Sequence, residues 1–188
     1  MSFLPGSPGE YVLELFLAQP ATLQVGRLGE FTFPPGAYLY FGSACGPGGL
    51  RARLTRHMLP VPSYSLHWHI DYLRAVARLR ALGILAGSCQ EQAAQHLECR
   101  WSQALTSLPG SLVPVPGFGA SDCHLGCPTH LLAIQASGAA ERPVLLDPML
   151  QNYLANAAGM AEAGQKMRWF EIDQSNNPPC VSAKTVAT

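Results

Sequence analysis

Glycine and proline cut this chain into short segments: 18 glycines and 16 prolines interrupt 188 residues. They gather in blocks such as Pro34-Pro35-Gly36 and Gly46-Pro47-Gly48-Gly49, which read as turns and loops between short strands and helices. Residues 10–18 (Glu-Tyr-Val-Leu-Glu-Leu-Phe-Leu-Ala) are apolar and β-prone, and Gly9 and Pro20 bound them as a strand. Thr22–Val25 and Glu30–Phe33 flank a Gly26–Gly29 turn, and Ala37–Phe41 is again strand-prone. In Leu50–His57, the pairs Leu50/Leu54 and Arg53/His57 recur four apart, which is helix spacing. A second helix is predicted over Tyr64–Leu73 with Ser65 as its N-cap, followed by a strand over Arg80–Leu85. From Ser88 to Leu108 the spacing of Ala94, Leu97, Trp101, Ala104, Leu105 and Leu108 predicts an amphipathic helix. His130–Gln135 reads as a last short strand and Met149–Met167 as helix, while polar Gln174–Thr188 reads as disordered. The organisation expected is a core domain at 1–138, a helical extension at 139–173 and a tail at 174–188.

Hydrophobic residues make up 48% and charged residues 13% of the chain, with mean hydropathy +0.11, which excludes a disordered polar chain. Lys+Arg and Asp+Glu balance at 12 each, so contact with nucleic acid needs a local patch rather than a global field. No apolar run reaches the ~18–20 residues that cross a bilayer, and Met1–Gly6 lacks the basic and apolar regions of a signal peptide. The expectation is a cytoplasmic protein with no membrane partner. Its six cysteines are then each expected to be buried, metal-ligating or free, rather than parts of a disulfide framework.

Three segments combine into a candidate active site. Tyr11 follows Gly9-Glu10 on the first strand, Tyr40 precedes Phe41-Gly42 on a later one, and Arg53 and His57 share a face of the next helix. Phosphodiester cleavage needs a cation for the developing charge, a proton acceptor for water and, usually, a divalent ion. Tyrosine, arginine and histidine supply the first two, and a carboxylate must hold the ion. Glu98, between apolar Leu97 and Trp101 on the strongest helix, borders the buried face and is the candidate. Arg51 and Arg56, with Ser43 beyond the Tyr-Phe-Gly turn, are candidate nucleic-acid contacts. Plainer readings stand beside these: half-buried packing tyrosines, a solvated arginine face, a helix-terminal histidine favoured by the macrodipole, and a surface carboxylate. No G-x-G-x-x-G or Walker A run supports nucleotide binding.

The ordered set Gly-x-Tyr, Tyr-x-Gly about thirty residues on, Arg53 with His57, and Glu98 on a later helix resembles the GIY-YIG nuclease superfamily. Gly36–His57, His67–Leu73 and Gly117–Cys123 look closer still to a branch of uncharacterised microbial proteins, sometimes attached to DNA-repair domains. The resemblance covers residues 9–136. It implies an α/β (α+β sandwich) domain with a small, mostly antiparallel sheet flanked by helices. It also implies an endonuclease in which Glu98 holds Mg²⁺ or Mn²⁺, Arg53 steadies the scissile phosphate, and Tyr11 or Tyr40 activates water with help from His57. The partner implied is nucleic acid, DNA ahead of RNA. Glu10 and Phe41 stand at the centres of the two tripeptides, departures that bear on packing rather than chemistry.

A second constellation is Cys123-x3-Cys127-x2-His130 on a Gly/Pro-rich loop, with Cys99 on the Glu98 helix available as a fourth ligand. Thiolates and imidazole are zinc's preferred donors, so Zn²⁺ is the metal it would take. The alternative is that these cysteines are small buried hydrophobes. His67, His69 and Asp71 surround Trp68 and are read as tying a helix to a neighbouring loop. Two functions remain open: the metal-dependent endonuclease, and a nucleic-acid-binding or protein-interaction module on the same fold without turnover, zinc-stabilised or not.

Overall fold

The computed structural model describes residues 3–62, 66–89, 96–135, 139, 141–159, 166–173 and 180–184. The first strands are β1 (Gly9–Leu17), β2 (Ala21–Val25), β3 (Gly29–Phe33) and β4 (Gly36–Ser43). Helices α1 (Gly49–Met58) and α2 (His69–Arg74) follow, then β5 (Arg78–Ala86) and α3 (Leu97–Thr106). The chain continues through β6 (Ser111–Leu112), β7 (Leu131–Ile134), a 3-10 turn at Val144–Leu146 and α4 (Pro148–Ala157). It closes with β8 (Arg168–Asp173) and β9 (Cys180–Lys184). This is the α+β arrangement expected: one seven-stranded sheet in the order β6-β7-β4-β1-β5-β8-β9, every pair antiparallel, with β2-β3 as a separate hairpin.

β1 lies at the centre, paired to β4 on one side and β5 on the other. Side chains alternate between faces along a strand. Tyr11, Leu13, Leu15 and Leu17 therefore join Leu50, Leu54 and Met58 of α1 and Ile70 and Leu73 of α2 in one core. Val12 joins Leu97, Trp101 and Leu105 of α3 and Leu154 of α4 in a second core on the opposite face. The Trp101 indole N–H donates to the Leu154 carbonyl at 3.0 Å, which fixes α4 across α3.

Several expectations need correction. The helix read from Ser88 to Leu108 begins at Leu97; Ser88 and Cys89 are not helical, and Ala94 lies outside the described residues. Cys89 is instead disulfide-bonded to Cys45 across a sequence separation of 44, contrary to the expectation that each cysteine is buried, ligating or free. Closing a loop of that length stabilises a fold by roughly 4 kcal/mol in the chain-entropy picture. The helix expected at Tyr64 starts at His69, because the Asp71 carboxylate accepts from the His67 and Trp68 amides and stops it there. Tyr64 and Ser65 lie outside the described residues. The segment 139–173 is not helical throughout: α4 ends at Ala157, and β8 then pairs with β5 in the main sheet. Cys180–Lys184, expected to be disordered, is a strand paired with β8; 174–179 and 185–188 lie outside the described residues.

The strand face that carries Val12 also carries two buried carboxylates, Glu10 and Glu14. Glu14 accepts from the Leu145 amide at 2.7 Å and so pins the 3-10 turn to the sheet. Its other oxygen has no hydrogen-bond partner among the described residues. Burial pushes Glu14 up to about 7, against the pull of the Leu145 and Val144 amides and the Arg80 charge. A carboxyl raised in the native state binds its proton more tightly there than in the unfolded chain. Its contribution is therefore intact below about 4.5 and is lost as pH rises through about 7. The shift corresponds to about 3 kcal/mol. Urea melts of wild type and Glu14→Gln should diverge by up to that amount between these pH values, with the variant the more stable at the upper end. A constant difference across the range would show that Glu14 titrates normally.

Candidate functional site

The pocket forms at the end of the sheet where β1 begins and β4 ends. The register sets Tyr11 opposite Gly42 and Glu10 opposite Ser43. A Cβ at position 42 would sit 2.5 Å from Tyr11 Oη, so glycine is required for the phenol to lie across β4. Gly119 does the same for Tyr40: a Cβ there would come within 2.8 Å of the ring. α1 presents Arg53 from one face of the sheet, and α3 presents Glu98 from the other. Both side chains reach a single cavity of about 270 Å³, lined also by Tyr11, Tyr40, Ser43 and Asp122.

Behind the lining, Tyr11 Oη lies 3.0 Å from His57 Nε2. Burial drives His57 down to about 3, reinforced by the Arg53, Arg74 and Arg56 charges, so the imidazole is neutral. Burial likewise drives Tyr11 up to about 12, with the Arg53 charge and hydrogen bond opposing it. A guanidinium only donates. Arg53 therefore takes a phenol lone pair, and Tyr11 Oη and His57 Nε2 share one hydrogen bond whose direction follows the imidazole tautomer. Tyr40 is also held well above the ordinary phenol range, chiefly by burial. Both tyrosines are therefore neutral hydrogen-bond donors. His57 is not the helix-terminal cation that the macrodipole would favour.

Glu98 is raised by burial; its own backbone amide, His96 and Ser43 draw it back, while the nearby Glu10 charge raises it. Glu98 Oε2 is buried and has no hydrogen-bond partner among the described residues. Glu10, the other carboxylate at this end, accepts from the Leu97 amide at 3.0 Å. It thereby occupies one of the orphan donors at the start of α3 and holds the turn that carries Glu98. Its role was hidden in the sequence because its partner lies 87 positions away.

Of the predicted nucleic-acid contacts, Ser43 lines the pocket, whereas Arg51 and Arg56 do not. Arg56 is bonded to the Asp71 carboxylate, and Arg51 Nε donates to the Leu4 carbonyl at 3.0 Å. Asp71 has the tying role foreseen for it. His67 and His69, read as tying a helix to a loop, line the pocket as well, together with Trp68, Ser121, Asp122 and Gly119. The Gly119 amide donates to His69 Nδ1 at 3.0 Å, so the mobile proton of that ring is on Nε2.

Cys99, Cys123, Cys127 and His130 come together against this pocket. Their donor atoms all lie within 4.8 Å of one another. Cys99 Sγ is 3.5 Å from both Cys123 Sγ and His130 Nε2. Sulfurs at ~2.3 Å from a tetrahedral ion stand about 3.8 Å apart, so the cluster fits a metal ion. Burial raises Cys99 and Cys127, while backbone and thiol hydrogen bonds outweigh burial and lower Cys123. His130 belongs to both sites, since its ring also lines the pocket.

The fold and site define a mixed α/β domain that places a tyrosine–histidine pair, an arginine and a carboxylate beside a Cys3His cluster. A family model matches residues 10–146, and the chain belongs to that family, DUF123, described as a domain of unknown function. No curated protein and no solved structure matches. The family assignment corrects the GIY-YIG resemblance: the match is to DUF123, and nothing in it connects the chain to that superfamily. Among the described residues no helix is long and apolar enough to cross a membrane.

The neutral His57 gives a direct check. As pH falls below 6.5 the unfolded chain takes up a proton that the native ring refuses until about 3, so stability falls across that interval. Imidazole NMR signals of His57 should stay in the neutral form from about pH 9 down to about pH 4, whereas a ring titrating near its ordinary value of 6.5 would contradict its burial.

Proposed function

We propose that the pocket hydrolyses phosphodiester bonds in nucleic acid, DNA ahead of RNA, with a divalent cation at Glu98. The observation that carries this reading is the convergence of Tyr11, Tyr40, Arg53 and Glu98 on one small cavity, from two strands and from helices on opposite faces. Arg53 neutralises a phosphate there, and Tyr40 donates to a phosphate oxygen. The orphaned Glu98 Oε2 suits a hard cation such as Mg²⁺ or Mn²⁺, which needs oxygen donors and retains several waters. When bound, that ion supplies Lewis-acid stabilisation of the phosphoryl oxygens.

Water attacks phosphorus, an O–P bond forms, and the bond to the departing sugar oxygen breaks. The water proton moves to Tyr11 Oη as Tyr11 passes its own to His57 Nε2, and the departing oxygen takes a proton from solvent. A phosphate on Arg53 offsets one of the charges that hold His57 low. Substrate itself thus makes the imidazole a better acceptor.

Nicking of linear and branched substrates with Mg²⁺ or Mn²⁺ tests this. Glu98→Ala and Arg53→Ala should each lower the rate about 100-fold or more. Unchanged activity in both variants rejects the mechanism. The second reading, a binding module without turnover, is favoured by the poor basicity of both Tyr11 and His57 in the free protein. Retained binding with no cleavage under any divalent ion selects it.

The Cys3His cluster we assign to structural zinc, because four protein ligands leave no open position for chemistry. Purified protein should carry one zinc per chain, and Cys99→Ser should lose it and melt at lower temperature. A metal-free protein whose Cys123 and Cys127 alkylate freely without unfolding contradicts the assignment.

A further inference from the structure

Trp68 is the feature of the pocket that phosphodiester hydrolysis leaves unused. It lines the same cavity as Arg53 and Glu98, yet 46% of its surface is exposed. The other tryptophans, Trp101 and Trp169, are buried. Its backbone is fixed: the Trp68 amide donates to Asp71 at 2.8 Å, and Asp71 is held in turn by Arg56. The ring is positioned as well. Arg53 Cζ lies 5.7 Å from its centroid, and the His67 ring meets it edge-on at 5.0 Å. A rigid, open indole thus stands beside the guanidinium that would hold a phosphate.

Aromatic faces of this kind stack nucleobases whatever their identity. A base pair presents no free face inside a duplex, and a cavity of about 270 Å³ has room for a phosphate and its sugar rather than for stacked pairs. Resting on the hydrolytic reading, we propose that Trp68 stacks an unpaired base next to the phosphate at Arg53. The substrates are then nucleic acids with an unpaired nucleotide at the point of attack, such as single strands, flaps and junctions.

The test compares a single-stranded oligonucleotide with the same sequence as a duplex, binding to the full chain with Ca²⁺ as the added divalent ion. Single strands should quench the part of the tryptophan emission that comes from the exposed Trp68, a quenching absent in Trp68→Ala, since Trp101 and Trp169 are buried. Trp68→Ala should weaken single-strand binding about 5- to 150-fold, leave duplex binding and the melting temperature unchanged, and be rescued by Trp68→Phe. Equal effects on single strand and duplex, or none on either, overturn the inference even where Glu98-dependent cleavage stands. Selective loss without cleavage under any divalent ion keeps the stacking site and removes the nuclease. Failure of both nucleic acids to bind overturns both.

Discussion

Two adjacent residues of the central strand, Glu10 and Tyr11, determine what the rest of the site can be. Alternation sends them to opposite faces, one toward α3 and the other toward α1. Glu10 reaches the first amide of α3, that of Leu97, and Tyr11 reaches His57 on α1. Each neighbour in sequence therefore anchors a different helix, and the two helices carry Glu98 and Arg53 to a common cavity. A one-residue slip of β1 against β4 would exchange these faces and dismantle the pocket, which is why the register is so strongly specified. Gly42 completes the constraint, because only a residue without Cβ lets the phenol cross the neighbouring strand.

The same strand carries two buried carboxylates, and α3 brings a third close to them. Glu10, Glu14 and Glu98 are all buried, and each has one oxygen without a hydrogen bond among the described residues. Glu10 and Glu14 find a partner in a distant backbone amide, which makes them staples between sheet and flanking elements. Glu98 has no such amide partner from another element. Buried carboxylates of this kind are tolerated where a cation or a function compensates. The titrations oppose one another: Glu14 weakens the fold as pH rises and His57 weakens it as pH falls. Stability is thus confined from both sides by groups on opposite faces of one sheet.

Much of this was legible in the sequence, and for physical reasons. Strand alternation and the i,i+4 pairs of α1 are local signals, so β1 to β5 and α1 fall where the pattern puts them. The pocket residues Tyr11, Tyr40, Arg53 and Glu98 were named from their chemistry, and the metal cluster from its Cys/His spacing plus Cys99. The failures were long-range. Periodicity through Ser88–Leu108 could not show that Cys89 is held by Cys45, and polarity could not show that Cys180–Lys184 would pair with β8. Arg56 looked like a phosphate contact because its partner Asp71 lies on another helix. Trp68 was given no role of its own, because exposure is not written in residue type.

Proximity of the two clusters has a consequence of its own. Glu98 and Cys99 are consecutive on α3, and helical geometry turns successive side chains by about 100°, so one faces the cavity while the other faces the thiols. His130 spans the gap, touching Cys99 Sγ and lining the pocket. Glu10 fixes the start of α3 from the sheet side, Trp101 and Leu105 bury its inner face, and the Ser102 hydroxyl donates to the Thr129 carbonyl. An ion bound to Cys99 would add a further tie between α3 and the Cys123–His130 loop, where Gln103 already donates to the Leu125 carbonyl. The orientation of the Glu98 carboxylate is then set by constraints acting together on α3, the buried Glu10 hydrogen bond at one side of the helix and the contacts with the cysteine-bearing loop at the other.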